Sequence, residues 1–532
     1  MATLVFDRSF GDDWPPETFG GGAIATRTAT KMTYVSDQGY TITLRGIGLV
    51  YDADGLPSGG TVTGATVAKG GLTFATYSDV TVDFGRAGMM LFGYDRNNGG
   101  FQNPDPYSFV QNMTRGNDVV TGSSGEDDIR SGAGNDSVNS GAGSDYIGDE
   151  GGNDTYNGGA DWDTLGFDEA NYRSDAYRGV NLDAVTGVAT DCFGFTDSVS
   201  NFESYKDSAF NDTLKGSGIA EEAFSISRGN DVVDGRGGMD YVDYRDADRW
   251  GAHRGVSVDL RTGIAVDSWR GTDTLTNVEG VTGTIFNDTL IGSARDEVFD
   301  GGAGRDVINM GAGFDELRFN RVGDRTPGHG IVVDFNAVKN IVDDGYGNTE
   351  NALGVERISG SRFDDMLTGD GKANRLYGND GNDTVSGGLG ADGLGGGWGA
   401  DRISGGGGDD YITGDGGNDT VSGNAGQDAF VFEWNLADVG VDTITDFEVG
   451  IDDIRIASWW GGGLDADALT ASQFLSGAGV TSANSASQRV IYNTSTGDLF
   501  FDQDGNGGSA AVLFATLSNK AILAFDDIQI LL

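Results

Sequence analysis

The segment Gly405–Gly423, "GGGGDDYITGDGGNDTVSG", restricts the kind of fold that this chain can adopt. It is rich in glycine and aspartate and contains no lysine or arginine. Its only large apolar side chains are those of Tyr411, Ile412 and Val421. Ordering a backbone costs about 1–2 kcal/mol per residue, which so few apolar groups do not offset. The segment therefore needs a further stabilising component in order to fold.

Aspartates recur every nine residues on both sides of this segment. The array that contains it is Asp383, Asp392, Asp401, Asp410, Asp419 and Asp428. An earlier array is Asp118, Asp127, Asp136, Asp145, Asp154 and Asp163. Shorter runs follow the same spacing, namely Asp231 with Asp240, and Asp288, Glu297, Asp306 and Asp315. An internal repeat of this regularity indicates a stacked repeat architecture.

An apolar residue stands two positions after each of the aspartates in the two long arrays. These residues are Val120, Ile129, Val138, Ile147, Tyr156, Leu165, Val385, Leu394, Ile403, Ile412, Val421 and Phe430. The repeat is G-G-x-G-x-D-x-apolar-x, in which six residues form a turn and three form a strand with one inward side chain. Glycine permits the positive φ angles of close turns. Aspartate and turn carbonyls supply the oxygen ligands that Ca²⁺ prefers.

The chain resembles the RTX (repeats-in-toxin) family of calcium-binding proteins on the strength of these nonapeptides. The resemblance implies an all-β fold, a right-handed parallel β-roll or β-solenoid with β-rich modules at both ends. It also implies that two nonapeptides form one coil, so that calcium ions lie between turns eighteen residues apart. The implied metal ligands are Asp118, Asp127, Asp136, Asp145, Asp154, Asp163, Asp212, Asp231, Asp240, Asp288, Asp306, Asp315, Asp365, Asp383, Asp392, Asp401, Asp410, Asp419 and Asp428.

Three similar segments interrupt the arrays, at residues 179–214, 255–290 and 330–367. Each begins with an alternating apolar pattern that is typical of a strand, and each ends in (N/D)-D-x-L. That ending returns to the nonapeptide register at Asp212, Asp288 and Asp365. We interpret the three segments as inserts that form wider coils of the same solenoid, with projecting loops.

The sequence thus predicts nine successive regions. They are an N-terminal β module of antiparallel strands (1–110), a first repeat block (111–178), insert 1 (179–214), a short second block (215–254), insert 2 (255–290), a third block (291–329), insert 3 (330–367), a fourth block (368–430) and a C-terminal β cap (431–532). The last region resembles the one that follows the repeats in serralysin-type secreted proteins.

The composition of the chain restricts the classes of partner that it can bind and indicates where it is located. Asp and Glu total 82 against 34 Lys and Arg, a net charge of -48, which disfavours nucleic acid and anionic membranes and favours cations. The single cysteine, Cys192, excludes an internal disulfide, and no apolar run is long enough to span a membrane. The start of the chain lacks the features of a signal peptide. The resemblance implies type I secretion through a signal near the C-terminus, such as "AILAFDDIQILL", and hence an extracellular location.

No catalytic motif emerges from the sequence. H-E-x-x-H and G-x-S-x-G are absent, which argues against a serralysin-like protease and a lipase. His253 and His329 precede inserts at similar places, and a pair of solvated loop histidines is favoured over a metal site. Carboxylate pairs for polysaccharide chemistry remain an open alternative in so acidic a chain. We therefore expect a protein that is not an enzyme.

Trp162 and Trp398 occupy turn positions and are expected to face solvent, where they either stack on sugars or pack over neighbouring turns. The preferred hypothesis is a secreted, calcium-dependent structural protein that self-assembles into a surface layer, filament or matrix. The alternatives are an adhesin that binds cell-surface or matrix polysaccharide and a secreted polysaccharide-modifying enzyme.

Overall fold

The computed structural model describes the strands between residues 3 and 101 and then residues 117, 119–122, 125–168, 176–249, 251–320, 328–337, 340–464 and 468–531. Asp118, a predicted metal ligand, lies outside the described residues. The chain divides into two compact units. Unit 1 comprises residues 1–252 and 263–280, and unit 2 comprises residues 253–262 and 281–532.

Unit 1 begins with antiparallel strands, as the alternating pattern of residues 40–67 predicts. The strands are Thr3–Phe6, Ala23–Thr28, Lys31–Val35, Tyr40–Tyr51, Pro57–Lys69, Leu72–Asp83, Tyr94–Asp95 and Gly100–Phe101. Thr3–Phe6 pairs antiparallel with Leu72–Asp83 and parallel with Val119–Thr121, the first strand of the repeats. The N-terminal strands are therefore continuous with the first repeat block through backbone hydrogen bonds.

The repeats of unit 1 form two ladders of parallel strands. Ladder A contains Val119–Thr121, Ser137–Ala142, Thr155–Ala160, Thr196–Ser200, Val188–Thr190, Asn181–Asp183, Thr213–Lys215, Val232–Asp234, Thr272–Thr276 and Ile264–Val266. Ladder B contains Asp128–Arg130, Tyr146–Gly148, Thr164–Gly166, Ser204–Lys206, Glu221–Ser225 and Met239–Asp243. A 3-10 helix follows at Arg245–Asp248. Successive nonapeptides alternate between the two ladders.

Unit 2 repeats this arrangement. Its ladder A contains Ser257–Asp259, Thr289–Ile291, Val307–Asn309, Asn351–Leu353, Ile341–Asp343, Val332–Asp334, Met366–Thr368, Thr384–Leu389, Arg402–Gly407, Thr420–Ala425, Asp442–Ile444, Val512–Leu517, Asp498–Phe501, Val490–Asn493 and Phe474–Gly477. Its ladder B contains Val298–Asp300, Glu316–Arg318, Arg357–Ser359, Arg375–Asp380, Gly393–Gly399, Tyr411–Gly417, Ala429–Phe432, Asp453–Ala457 and Ile528–Leu531. Short 3-10 helices lie at Ser458–Trp460 and Phe525–Asp527, and the strand Gly280–Thr282 contains residues of both units.

The register of these ladders is that of two nonapeptides per coil. In unit 2, Val385 pairs with Ile403 and Ile403 pairs with Val421, each eighteen residues further along the chain. Ladder B has the same spacing, because Leu394 pairs with Ile412 and Ile412 with Phe430. This architecture is a parallel β-roll, and the predicted fold class is confirmed.

The core of the roll is a single column of apolar side chains on each ladder. All twelve apolar residues predicted from the two long arrays are buried. The strands of the fourth block differ from the prediction in length, since they extend over six or seven residues instead of three. The turn backbones of successive coils also pair there, as Gly388 does with Gly406.

The inserts continue the ladders through antiparallel pairing, which the sequence did not predict. In insert 1, Asn181–Asp183, Val188–Thr190 and Thr196–Ser200 form an antiparallel meander. Its two outer strands pair in parallel with the flanking repeats, at Thr155–Ala160 and Thr213–Lys215. Backbone hydrogen bonding along this ladder of unit 1 is therefore not broken by the insert.

Close stacking of the turns explains the glycine positions. Gly417 has φ +133°, a conformation that other residues rarely adopt, and a Cβ atom there would overlap the carbonyl oxygen of Gly399. We predict that Gly417→Ala destabilises the calcium-loaded protein by about 1–3 kcal/mol, because the coil must open to admit the methyl group. The free energy of unfolding in urea measures this.

Gly371→Ala is the matched control, because a Cβ atom at Gly371 meets nothing within 4 Å and its φ is not positive. Equal stability of the two variants would contradict the stacking explanation.

Candidate calcium sites

The predicted aspartates are buried wherever the structure describes them. Each of the eighteen from Asp127 to Asp428 has at most 4% of its surface exposed, although a carboxylate is ordinarily a surface group. The aspartate follows the turn and precedes the inward apolar residue, so that stacking of the strands also stacks the carboxylates. The roll therefore contains columns of buried acidic groups.

One carboxylate oxygen of each regular aspartate binds the preceding coil. Asp401 Oδ1 accepts the backbone N–H of Asp383 at 2.7 Å, and Asp419 Oδ1 accepts that of Asp401 at 2.8 Å. On the other ladder, Asp410 Oδ1 accepts the N–H of Asp392 at 2.9 Å. The aspartate side chain thereby joins coils eighteen residues apart and fixes the direction of its second oxygen.

The second oxygen has no protein hydrogen-bond partner among the described residues. This holds for Oδ2 of Asp145, Asp163, Asp231, Asp306, Asp315, Asp383, Asp392, Asp401, Asp410, Asp419 and Asp428. Buried polar atoms are almost always hydrogen-bonded, and an unpaired buried charge is costly. A whole column of such oxygens is explained if they have a ligand other than the protein.

These oxygens converge with backbone carbonyls beside one glycine of each turn. A Cβ atom at Gly396 would overlap Asp401 Oδ2 and lie 2.8 Å from the carbonyl oxygen of Gly414 on the next coil. The same position at Gly405 would overlap Asp410 Oδ2 and lie 2.8 Å from the carbonyl oxygen of Gly423. A carboxylate and carbonyls that meet in this way form the hard oxygen environment that suits Ca²⁺.

The electrostatic cost of the columns is visible in the pKa values of the metal-free chain. Burial, together with Asp365 and Asp401, raises the pKa of Asp383 to about 8. Burial is also the main cause that raises the pKa of Asp401 to about 7 and those of Asp410 and Asp428 to about 6. A bound cation favours the ionised form and opposes these shifts.

Three predicted ligands have a different environment. Asp212, Asp288 and Asp365, where the inserts return to the register, bind a Ser or Thr four residues earlier through both carboxylate oxygens. They also accept the N–H of Val180, Val256 and Ile331 near the insert starts. These aspartates close the inserts and have protein donors for both oxygens.

Sequence reasoning missed several carboxylates that occupy aspartate positions in the coils. Asp197 Oδ1 accepts the N–H of Asp154 at 2.9 Å, and Asp273 Oδ1 accepts that of Asp231 at 3.0 Å. Asp442 and Asp452 do the same for Asp419 and Asp428. A signal was present, because each stands two residues before a buried apolar residue, and all except Asp197 also have a glycine two residues before them. The two earlier glycines of the repeat are missing at all four places.

Comparison with known proteins also identifies the nonapeptides as calcium-binding repeats. A family model described as RTX calcium-binding nonapeptide repeat matches residues 114–147, 282–317, 359–394 and 395–429. The chain carries RTX calcium-binding repeats. No curated protein was found to match it. Calcium is thus the cofactor of the repeats in this chain.

Two solved structures show weak similarity to the RTX chain. The AlgE6R3 subunit of a mannuronan C5-epimerase from Azotobacter vinelandii is 24% identical, with 32% of this chain and 80% of that chain covered and a TM-score of 0.19. The extracellular lipase LipA from Serratia marcescens is 12% identical, with 96% and 85% covered and a TM-score of 0.18. At these TM-scores neither similarity bears on the activity of this chain.

The remaining residues singled out in the RTX sequence lie as follows. Cys192 is buried, and Trp162 and Trp398 are exposed, as predicted from their turn positions. His253 and His329 are both exposed, and His329 Nδ1 lies 2.9 Å from the carbonyl oxygen of Gly330. Over the residues that the structure describes, no helix has the length and apolarity to cross a bilayer.

Asp410, a carboxylate of the fourth repeat block, allows a direct test of the calcium ligands. We expect Asp410→Asn to raise the calcium concentration needed for half-maximal folding several-fold, because the amide keeps the hydrogen bond to Asp392 and loses the charge facing the cation. Circular dichroism during a calcium titration measures the midpoint.

The neighbouring Asp409→Asn is the control, since Asp409 is exposed and its Oδ1 only accepts the N–H of Gln427. If both variants titrate like the wild type, Asp410 is not a ligand.

The buried carboxyl groups also predict how folding of the metal-free chain depends on pH. The folded metal-free RTX roll has carboxyl pKa values raised to about 6–8 at Asp383, Asp401 and Asp410, against about 4 when unfolded. Folding of the metal-free chain therefore takes up protons. The free energy that these carboxyl groups contribute to folding is fully present below about pH 4 and is lost as the pH rises to about 8. We expect the β signal of metal-free protein to increase from pH 8 to pH 5.

At saturating calcium the pH dependence of folding reverses, because the carboxylate ligands must be ionised to bind the ion. A metal-free β signal that increases with pH would contradict the assignment of these carboxyl groups.

Proposed function

We propose that this protein is a secreted structural protein whose roll folds when calcium binds outside the cell, and that it forms part of a surface layer, filament or matrix. The observation that carries the proposal is the column of buried aspartate oxygens without protein donors. A roll with one apolar side chain per nonapeptide depends on those oxygens being bridged. Its fold is then conditional on the calcium concentration around it.

The charge of the chain supports a folding switch. With a net charge of -48, the metal-free chain repels itself and favours expanded conformations. Calcium modules of extracellular proteins have Kd values of about 10⁻⁴–10⁻³ M, far above the free calcium of a cytosol. The chain accordingly stays unfolded during export and folds after it leaves the cell.

A structural role is favoured by how much of the sequence serves the roll. The nonapeptides and inserts extend from residue 111 to residue 430, and no protease or lipase motif accompanies them. The C-terminal region, like the blocks before it, adds strands to both ladders of unit 2. We infer a non-catalytic protein whose main role is to form an ordered surface.

Self-assembly is supported by apolar side chains on the C-terminal region. Ile522 is 82% exposed, and Trp459, Val449 and Ile451 are also exposed. Exposed apolar groups on an otherwise very acidic chain favour contact with a second protein surface. Head-to-tail contacts between copies propagate into polymers when the rotation between them does not close.

Carbohydrate binding is the second candidate, and Trp398 favours it. Its indole is half-exposed and packs edge-on against Trp434, with ring centroids 4.7 Å apart. The contact with Trp434 holds the ring in place, and its exposed part is free to stack on a sugar.

We expect the full chain to lose its β signal in EGTA and to regain it in millimolar calcium, with polymers visible in negative-stain micrographs only in calcium. Magnesium at the same concentration is the control, because it demands octahedral geometry and retains its waters. A β signal unchanged by EGTA would overturn the folding switch. Monodisperse particles in calcium that bind glycans would favour the adhesin instead.

A further inference from the structure

Insert 1 brings together four buried carboxylates at its junction with the first repeat block. Asp149, Asp154 and Asp197 each offer one carboxylate oxygen, and these three atoms lie within 4.8 Å of one another. Asp191 is buried beside them, and its charge contributes to raising the pKa of Asp149 and of Asp197. We name Asp149, Asp154, Asp191 and Asp197 the insert cluster.

Asp149 departs from the repeat at a position where the regular blocks have glycine. It lies five residues before Asp154, as Gly396 lies before Asp401 and Gly405 before Asp410. At those glycines an aspartate oxygen and a carbonyl oxygen of the next coil converge. A carboxylate side chain therefore begins where the regular turn has only a hydrogen atom.

The oxygens of the cluster are fixed in direction by the protein. Asp191 Oδ1 accepts the N–H groups of Phe193 at 3.0 Å and Phe195 at 2.7 Å. Asp197 Oδ1 accepts the N–H of Asp154 at 2.9 Å. The second oxygens of both Asp191 and Asp197 are buried and have no hydrogen-bond partner within the described ranges.

The hydroxyl of Tyr156 lies between two members of the cluster. It is 3.0 Å from Asp149 Oδ1 and 2.9 Å from Asp154 Oδ2, and it also lies 3.2 Å from Ser131 Oγ. Because a phenol has one hydrogen, it cannot donate to both carboxylates at once. The protein therefore leaves several negative oxygens of this cluster without a donor.

A similar arrangement recurs at the other end of insert 1. Asp207 lies five residues before Asp212, and one oxygen each of Asp207, Asp212 and Asp231 lie within 4.8 Å of one another. All three are buried. Aspartate thus stands in place of the same turn glycine near both ends of insert 1, which indicates that the extra carboxylate serves the junctions.

We propose that the insert cluster is a cation site with a ligand set of its own, in which Asp149, Asp191 and Asp197 join the repeat aspartate Asp154, that it takes a hard divalent ion such as Ca²⁺, and that this ion anchors insert 1 to the first repeat block. Calcium affinity increases with the number of charged ligands and with the rigidity of a site. With up to four carboxylates on fixed backbone donors, the cluster binds calcium more tightly than the regular turns do. Asp154 belongs to the repeats as well, but the inference does not rest on occupation of the regular turns, such as the turn of Asp410.

The test counts calcium ions on the full chain by flow dialysis. The wild type is expected to show a tight class of sites before the broad nonapeptide class. Asp197→Asn retains an oxygen that can accept the N–H of Asp154 and removes one negative charge. We expect it to weaken calcium binding at one tight site at least tenfold. Asp161→Asn removes one exposed aspartate of the same block and is expected to bind like the wild type.

Asp149→Gly restores the ordinary turn glycine of the regular repeats and provides a second variant. Hydrogen exchange of residues 188–200 is measured with it, and protection of the insert is expected to need more calcium than in the wild type. Tight binding and protection unchanged in both variants would overturn the proposal and show that protons alone neutralise the cluster.

Asp410→Asn separates this proposal from the proposed function. If Asp410→Asn weakens the broad class while Asp197→Asn has no effect, the insert cluster is not a site and the nonapeptide sites stand. If only Asp197→Asn lowers calcium binding, the insert cluster stands and the nonapeptide sites fail.

Discussion

The structure depends on how each nonapeptide aspartate divides its two carboxylate oxygens. One oxygen accepts the backbone N–H of the aspartate eighteen residues earlier, as Asp401 does from Asp383. This hydrogen bond joins successive coils, and in doing so it directs the other oxygen toward the turn glycine and the carbonyl of the next coil. In a fold built this way, stacking the coils also stacks like charges in a dry environment, so that the demand for a cation follows from a bond that helps to make the roll.

The apolar core is too thin to offset that cost. Each nonapeptide of the two long arrays contributes one inward side chain, such as Ile403 or Ile412, and the turns between them are largely glycine. Calcium therefore takes the place that a hydrophobic interior has in other folds, and binding and folding become one process. This links the stability of the protein to the calcium concentration of its surroundings, which is the basis of the proposed function.

The inserts show how the roll accommodates a change of pattern. The antiparallel meander of insert 1 keeps its ladder hydrogen-bonded, and the insert carboxylates Asp197 and Asp273 take over the task of the missing nonapeptide aspartates. Asp149 and Asp207 add further charge at turn positions where the regular blocks have glycine. The junctions of insert 1 are consequently the most densely charged buried places that we find in the described part of unit 1, and they differ in ligand set from the regular turns.

The sequence by itself determined a stacked repeat and which aspartates and apolar residues recur in it, because glycine, aspartate and one apolar residue return with a nine-residue period. The resemblance to the RTX family then implied the β-roll with its eighteen-residue coil. Only the tertiary structure decided which carboxylates are equivalent across the inserts, that Asp212, Asp288 and Asp365 have their own Ser or Thr donors, and that Asp149 meets Asp197. The physical reason is that pairing between strands distant in sequence brings these groups together. The lengths of the inserts and their antiparallel turns set the register of that pairing, and the nine-residue period does not extend through the inserts.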